Sequence, residues 1–269
     1  MADTSATLLL RTEPIGKLLL RYSLPAIAAM VVFSLYNIID SIFIGHGVGP
    51  LAISGLAITF PVMNLTFALV LLVGIGGASI CSIRLGQQDI DGATRVLGNV
   101  LLLGLINGVT FGLLSQLVLD PVLTAFGASE HTLPYARDFM QIILYGLPVT
   151  CTMFGLNHIM RATGYPQKAM LSAVLTVGMN IILAPIFIFW LKWGIRGAAI
   201  ATIISQCVSA IWGFHFLTRG NAIIKLSKKY LRLHKRLVKE ITSLGFSGFI
   251  MAITNGSVQI MCNATLQRY

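Results

Sequence analysis

The sequence predicts an all-α polytopic membrane protein, and three observations carry that prediction. Hydrophobic residues fill 56% of the 269 positions and charged residues only 10%, with a mean hydropathy of +0.83, whereas soluble domains carry roughly 25% charge. The charged residues are clustered, and the gaps between clusters are membrane-sized. Within the gaps the apolar residues run on without alternation. That pattern favours helices, which satisfy their own backbone groups in lipid, over the strands of a barrel.

Leaving Asp40 aside, the charge-free stretches run from Tyr22 to Ile83, Val96 to Leu119, Phe139 to Met160, Ala169 to Leu191, Gly197 to Thr218 and Ile241 to Gln267. Each is near or above the ~20 residues, at ~1.5 Å rise, that cross a hydrocarbon core about 30 Å thick. The first must hold two spans, and the turn composition Gly45, His46, Gly47, Val48, Gly49, Pro50 divides it. Seven spans are expected. The first twenty residues contain Asp3, Arg11, Glu13 and Lys17, with no short apolar core before a small-residue cleavage site. A cleaved signal peptide is not indicated.

Basic residues flanking the spans decide orientation. Fifteen of the nineteen Lys and Arg fall on one side: Arg11, Lys17 and Arg21 before span one, Arg84 and Arg95 between spans two and three, Arg161 and Lys168 between four and five, and eight between Arg219 and Lys239. Only Arg137, Lys192, Arg196 and Arg268 fall on the other, so a cytoplasmic amino terminus is expected. This asymmetry also accounts for the net charge of +10, and no recognition motif for nucleic acid accompanies it. From Arg219 to Glu240, Leu226, Tyr230, Leu233 and Leu237 recur at helical spacing among the cations, which predicts an interfacial amphipathic helix. Cys81, Cys151, Cys207 and Cys262 lie in or beside apolar spans without metal-site spacing and read as small buried hydrophobes.

Laying Lys17 on Lys239 sets the first span against Phe246 to Gln267, and both are apolar helices entered from a basic segment. Six spans return the chain to its starting side, so a second copy would insert in the same orientation, as parallel transporter repeats do. The expected organisation is a six-helix lobe at residues 1–218, a basic cytoplasmic interlobe linker at 219–240, and the first helix of a second lobe at 241–269. On this reading the chain is a fragment lacking five helices.

Of nine acidic residues, only Asp40 falls within a span. A carboxylate at helix centre costs ~2.5 to 3.5 kcal/mol on insertion scales, and such groups usually face a cavity and serve ions or protons. Burial favours its neutral form and a bound cation its charged form, so one group can alternate between the two. Tyr36 and Asn37 on the same helix, Asn157 on span four, Asn180 on span five, and Thr202 and Gln206 on span six are polar groups that could join it. Each alone also fits interhelical packing, as do the small residues Gly104, Gly108 and Gly112. Gly74, Gly76 and Gly77 follow an apolar helix and no strand, against a phosphate loop. Pro25, Pro61, Pro148 and Pro185 lie within spans, and Pro25, sharing a helix with Asp40, is the candidate hinge. A membrane-embedded enzyme would need clustered His, Asp or Glu, but the histidines are scattered at 46, 131, 158, 215 and 234. No catalytic residue and no metal ligand set is assigned.

With these residues in hand, the chain resembles the multidrug and toxic compound extrusion family, prokaryotic type. The resemblance rests on Leu24-Pro25, the run from Tyr36 to Gly45, Arg161-Ala162-Thr163-Gly164, Asn180 to Leu183, and Gly194 to Thr202. It implies twelve helices in two lobes, in a bacterial inner membrane, exporting amphipathic organic cations in exchange for H⁺ or Na⁺, with the missing lobe needed for activity. The family's cation site is similar to Asp40, Asn180 and Thr202, but Ala184 stands where a second acid is expected. Loss of that hard anionic ligand disfavours Na⁺, and a single Asp can still cycle a proton. The alternative within the wider superfamily is a lipid-linked saccharide flippase, which would be expected to carry cations in its cavity, and no Lys or Arg lies within a span.

Overall fold

A computed structural model describes residues 14–220 and 222–266. Asp3, Arg11, Glu13 and Arg268, used above for the leader and orientation readings, lie outside the described residues, as do the side chains of Arg21, Lys228 and Cys262. The described chain is helical, without strands. Its elements in order are α1 (Ile15–Gly47), α2 (Pro50–Gly86), α3 (Ile90–Leu117), the short α4 (Leu119–Ala125), α5 (Leu133–Ala162), α6 (Pro166–Pro185), α7 (Gly194–Arg219) and α8 (Lys235–Leu266). All but α4 are long and apolar enough to cross a bilayer, giving the seven expected spans among the described residues.

The expected break between the first two spans is present. Gly49, at φ +116°, supplies a backbone conformation that side chains disfavour, and Pro50 opens α2 at a position where its missing N–H costs nothing. Pro25, Pro61 and Pro148 lie inside unbroken helices. After Pro185, α6 passes into a π-helical turn, Ile186–Trp190, closed by Leu191 N–H donating to Ile186 C=O at 2.9 Å. Such wide turns accommodate a lost helical bond.

Helix α5 occupies the centre, touching α2, α3, α6 and α7, while α1 lies chiefly on α6 and α8 on α2. The buried side chains form two main layers. One, with Ile44, Leu56, Leu123, Met140 and Ile188, lies toward the α1–α2 turn. The other, with Leu97, Ile159, Leu217, Ile224 and Ile241, lies toward the basic end. Small residues set the helix spacing: a Cβ placed on Gly108 would sit 2.6 Å from Pro148 Cα, and Gly104 and Gly112 likewise face Cys151 and Leu144. The glycines at 74, 76 and 77 are helical and packed, with Gly76 against the Ile241 carbonyl of α8.

The segment between α7 and α8 corrects one expectation. No amphipathic helix spans 219–240: α7 ends at Arg219, only Lys228–Tyr230 form a single 3₁₀ turn, and α8 begins at Lys235. The segment is instead a strap folded under the bundle. Leu226 N–H donates to Leu217 C=O at 2.8 Å, His234 N–H donates to Asn99 Oδ1 at 2.9 Å, and the Tyr230 phenol donates to Asp91. Ala222 and Ile224 are buried, whereas Leu233 is exposed, so the apolar residues do not share one face. Tertiary hydrogen bonds and burial of Ile224 outweigh the weak preference of a short basic helix.

Candidate functional site

Asp40 lies on α1 seven residues before its end, one turn beyond Tyr36 on the same face. It is only 6% exposed, and its Oδ1 is buried without a hydrogen-bond partner. Burial of this degree is not that of a solvated carboxylate at a helix end. Buried polar atoms are nearly always paired, so an orphaned carboxylate oxygen marks a place where something else binds or where strain is stored.

Beside it, three helices converge on one hydroxyl. Thr202 Oγ1 of α7 lies 3.0 Å from the Tyr36 hydroxyl of α1, and Asn180 Nδ2 of α6 donates to it at 3.1 Å. Thr202 itself donates to Ala198 C=O at 3.1 Å. A hydroxyl has one proton and two lone pairs, so Thr202 must accept from Tyr36, and its capacity is then filled. Nothing on Thr202 remains to serve Asp40. Ala184, at the position of the expected second acid, is fully buried and adds no polar atom.

The remaining candidates separate from this cluster. Asn37 faces outward, donating to Phe33 C=O of its own helix at 2.8 Å, and lines a surface cleft with Ser41 and His46. Asn157 is buried and donates to Ala169 C=O of α6 at 2.8 Å. Gln206 accepts from the Thr150 hydroxyl at 2.5 Å. Asn157 and Gln206 therefore tie α5 to its neighbours. Pro25 is buried on α1, about three turns below Tyr36.

Two features escaped the sequence reading. Phe33 of α1, Phe67 of α2 and Phe154 of α5 form an aromatic step, with ring centroids 6.1 Å apart for Phe33 and Phe154 and 5.5 Å for Phe67 and Phe154. Phenylalanines are too common in apolar spans for sequence to single them out. Asn99, buried on α3, anchors the strap through His234; a polar residue one turn past Arg95 was the available signal. Among the described residues, no three His, Cys, Asp or Glu gather as a metal site.

Comparison with known proteins agrees with the helical fold. The MatE family matches residues 25–186. Multidrug export protein MepA of Staphylococcus haemolyticus (strain JCSC1435) is 28% identical over 255 residues, covering 95% of this chain and 56% of that protein. An outward-facing structure of a multidrug resistance MATE family transporter of the MOP superfamily superposes with a TM-score of 0.89 at 29% identity, covering 97% of this chain and 58% of that one. An inward-facing structure described in the same terms gives 0.78 at 28% identity, covering 86% and 55%. The chain spans about half the length of the curated relatives it matches. Its seven apolar helices, the residues matched and the shared fold together place the chain in the MatE family of multi-pass membrane transport proteins.

Proposed function

We propose that this chain is the ion-coupling lobe, with the first helix of a second lobe, of an antiporter that exports amphipathic organic cations. The division is residues 1–218, linker 219–240 and 241–269, with the amino terminus cytoplasmic and the protein in a bacterial inner membrane. The matched relatives, which extend well beyond this chain's length, support the second lobe.

One observation carries the coupling role: the buried, unpartnered Oδ1 of Asp40 beside a filled Thr202 hydroxyl. A proton satisfies such an oxygen by turning it into a donor. A sodium ion would need several hard oxygens, yet Thr202 is engaged and Ala184 offers none. Proton exchange is therefore favoured over sodium. In this scheme Asp40 takes up a proton from one side and releases it to the other, while Asn180, Thr202 and Tyr36 fix the helices around it. The change of charge on α1 alters its bend at Pro25 and so the shape of the cleft. The aromatic step of Phe33, Phe67 and Phe154 suits an organic cation, whose charge is attracted to ring faces. A phosphate-bearing saccharide lipid finds no such match in a cluster of one acid and neutral polar groups.

The test uses the full-length transporter in proteoliposomes. Asp40→Asn abolishes gradient-driven export of an amphipathic cation dye, while the protein still folds and inserts. Undiminished export by the variant removes the proposal. Wild-type export that collapses without sodium at a constant pH gradient replaces the proton by sodium. Spin labels flanking Pro25 should change separation between low and high pH, and a fixed distance refutes the hinge.

A further inference from the structure

A second feature lies away from Asp40, on the face formed by α3, α5 and α7. There an apolar groove of about 450 Å³ runs between α3 and α7 with α5 as its floor, lined among others by Leu101, Leu105, Pro148, Cys207 and Ile211. Its volume falls in the ~300–1,000 Å³ range of small-molecule clefts. Leu226 and Leu231 of the strap also line it. Flanking these two leucines are Lys225, Lys229 and Arg232, all exposed. The nearby acids are already engaged: Asp91 pairs with Arg95 at 2.6 Å, accepts from Tyr230 and feels Lys229, whose Nζ lies 5.6 Å from the Tyr230 ring centroid, and Glu240 pairs with Arg236 at 3.1 Å, which leaves Lys225 and Arg232 as the strap cations beside the two leucines. The apolar groove along the spans thus ends at a strap whose two lining leucines are interleaved in sequence with exposed cations.

We infer that this groove and the strap together hold one anionic phospholipid, its acyl chain between α3 and α7 and its headgroup phosphate at Lys225 and Arg232. The inference rests on the membrane-spanning fold and is independent of the antiport reading. Membrane-spanning helices put the groove in contact with acyl chains, and cations immediately beyond the spans attract anionic headgroups. Ordinary boundary lipid covers any apolar helix face regardless of headgroup. A groove joined to a cationic strap selects by headgroup charge. The strap's anchors at Asn99 and Leu217 hold its backbone, with Leu226 and Leu231, at the groove mouth, and bound lipid should in turn fasten the strap to the bundle.

Native mass spectrometry of the 269-residue chain, released from micelles with equal phosphatidylglycerol and phosphatidylethanolamine of identical acyl chains, tests this. We expect a single phosphatidylglycerol adduct retained about tenfold over phosphatidylethanolamine, in keeping with the two cations. The variant Lys225→Gln/Arg232→Gln should bring the two lipids to equal retention. Cys207→Trp, filling the groove, should lower retention of both. Excess glycerol 3-phosphate should leave the phosphatidylglycerol adduct in place. Equal retention of both lipids by the wild type overturns the inference, as does a preference that survives the double substitution. Displacement by glycerol 3-phosphate would identify a free-phosphate site instead, and a lipid-free dimer would identify a second copy of the chain as the occupant; either result rejects the lipid.

Discussion

Helices α1 and α5 are both apolar, both span-length and both interrupted in composition by a proline, yet they sit in opposite circumstances. Buried residues make up 17% of the most apolar window of α1 and 56% of that of α5. Helix α5 is packed by backbone-close contacts to α3 and by side-chain hydrogen bonds from Asn157 and Thr150 to its neighbours. Helix α1 touches mainly α6, and its single interior acid has an oxygen left without a partner. Within the described helices the difference separates a central scaffold from a peripheral element, which we expect to move at the smaller cost. Regions with few buried contacts are the ones a protein opens first.

Steric substitution should break this contrast most sharply. Gly108 of α3 faces Pro148 of α5 with room for no side chain, whereas a Cβ added to Gly16 of α1 would meet nothing within 4 Å. Gly108→Leu should therefore cost about 3 kcal/mol through overpacking, seen as a lowered thermal midpoint in detergent. Gly16→Leu should change stability by less than about 0.5 kcal/mol, as a substitution away from packed positions does. Equal losses from the two would show that α1 is part of the rigid scaffold.

Polar substitution sharpens the same contrast with opposite signs. Asn157 completes a buried hydrogen bond, so Asn157→Leu removes the interhelical donor to the Ala169 carbonyl, which keeps its own helical bond within α6, and should destabilise by about 0.5–1.5 kcal/mol. Asp40 completes none at Oδ1, so Asp40→Leu should hold stability or raise it by up to about 2 kcal/mol, read as an unchanged or higher thermal midpoint, while ending export. A destabilised Asp40→Leu would mean that the carboxylate is a structural anchor.

These two residues also mark what sequence reveals and what it withholds. Span number and the α1–α2 break were legible because hydrocarbon thickness imposes a length and because Gly49 and Pro50 have backbone requirements of their own. Asp40 was legible because ionisable groups are scarce in lipid. Which of Tyr36, Asn37, Asn157 and Gln206 faces it was not, since the same side chains serve as helix glue or as site, and only the helix rotations distinguish them. Rotation brings Tyr36 to Thr202 and turns Asn37 outward. The strap was misread for a related reason. Helical spacing of leucines among lysines is real in the sequence, but Asn99, far away in the chain, and Leu217 at the end of α7 accept from its backbone, and Gly98 leaves room for the Tyr230 carbonyl.

Smaller effects distinguish how α1 and the strap are held. Tyr36→Phe removes the bond from α1 to Thr202 and should lower stability by about 0.5–1.5 kcal/mol. Because that bond fills Thr202, its loss frees a lone pair, and sodium dependence of export should rise in the full-length protein. Export that stays equally independent of sodium would mean that Thr202 is remote from the coupling ion.

The smallest expected effect concerns the strap, which is fastened to α3 on the scaffold side. Tyr230 lies outside the spans and donates to Asp91; that hydrogen bond, reinforced by the repulsion a phenolate would feel from the carboxylate, holds the phenol above the ordinary tyrosine range. A raised folded-state value means that the contact contributes fully below the unfolded value of 10.0 and is lost as pH rises through the folded one. Subtracting the alkaline absorbance titration of Tyr230→Phe from that of the wild type isolates this phenol, and Asp91→Asn should move its midpoint down. Strap release, followed by proteolysis between α7 and α8, should then begin at lower pH in Asp91→Asn than in the wild type, while the α1 distances stay unchanged. Identical titrations in the two proteins would show that the strap's backbone N–H bonds to the Asn99 side chain and the Leu217 carbonyl, not the phenol, hold it in place.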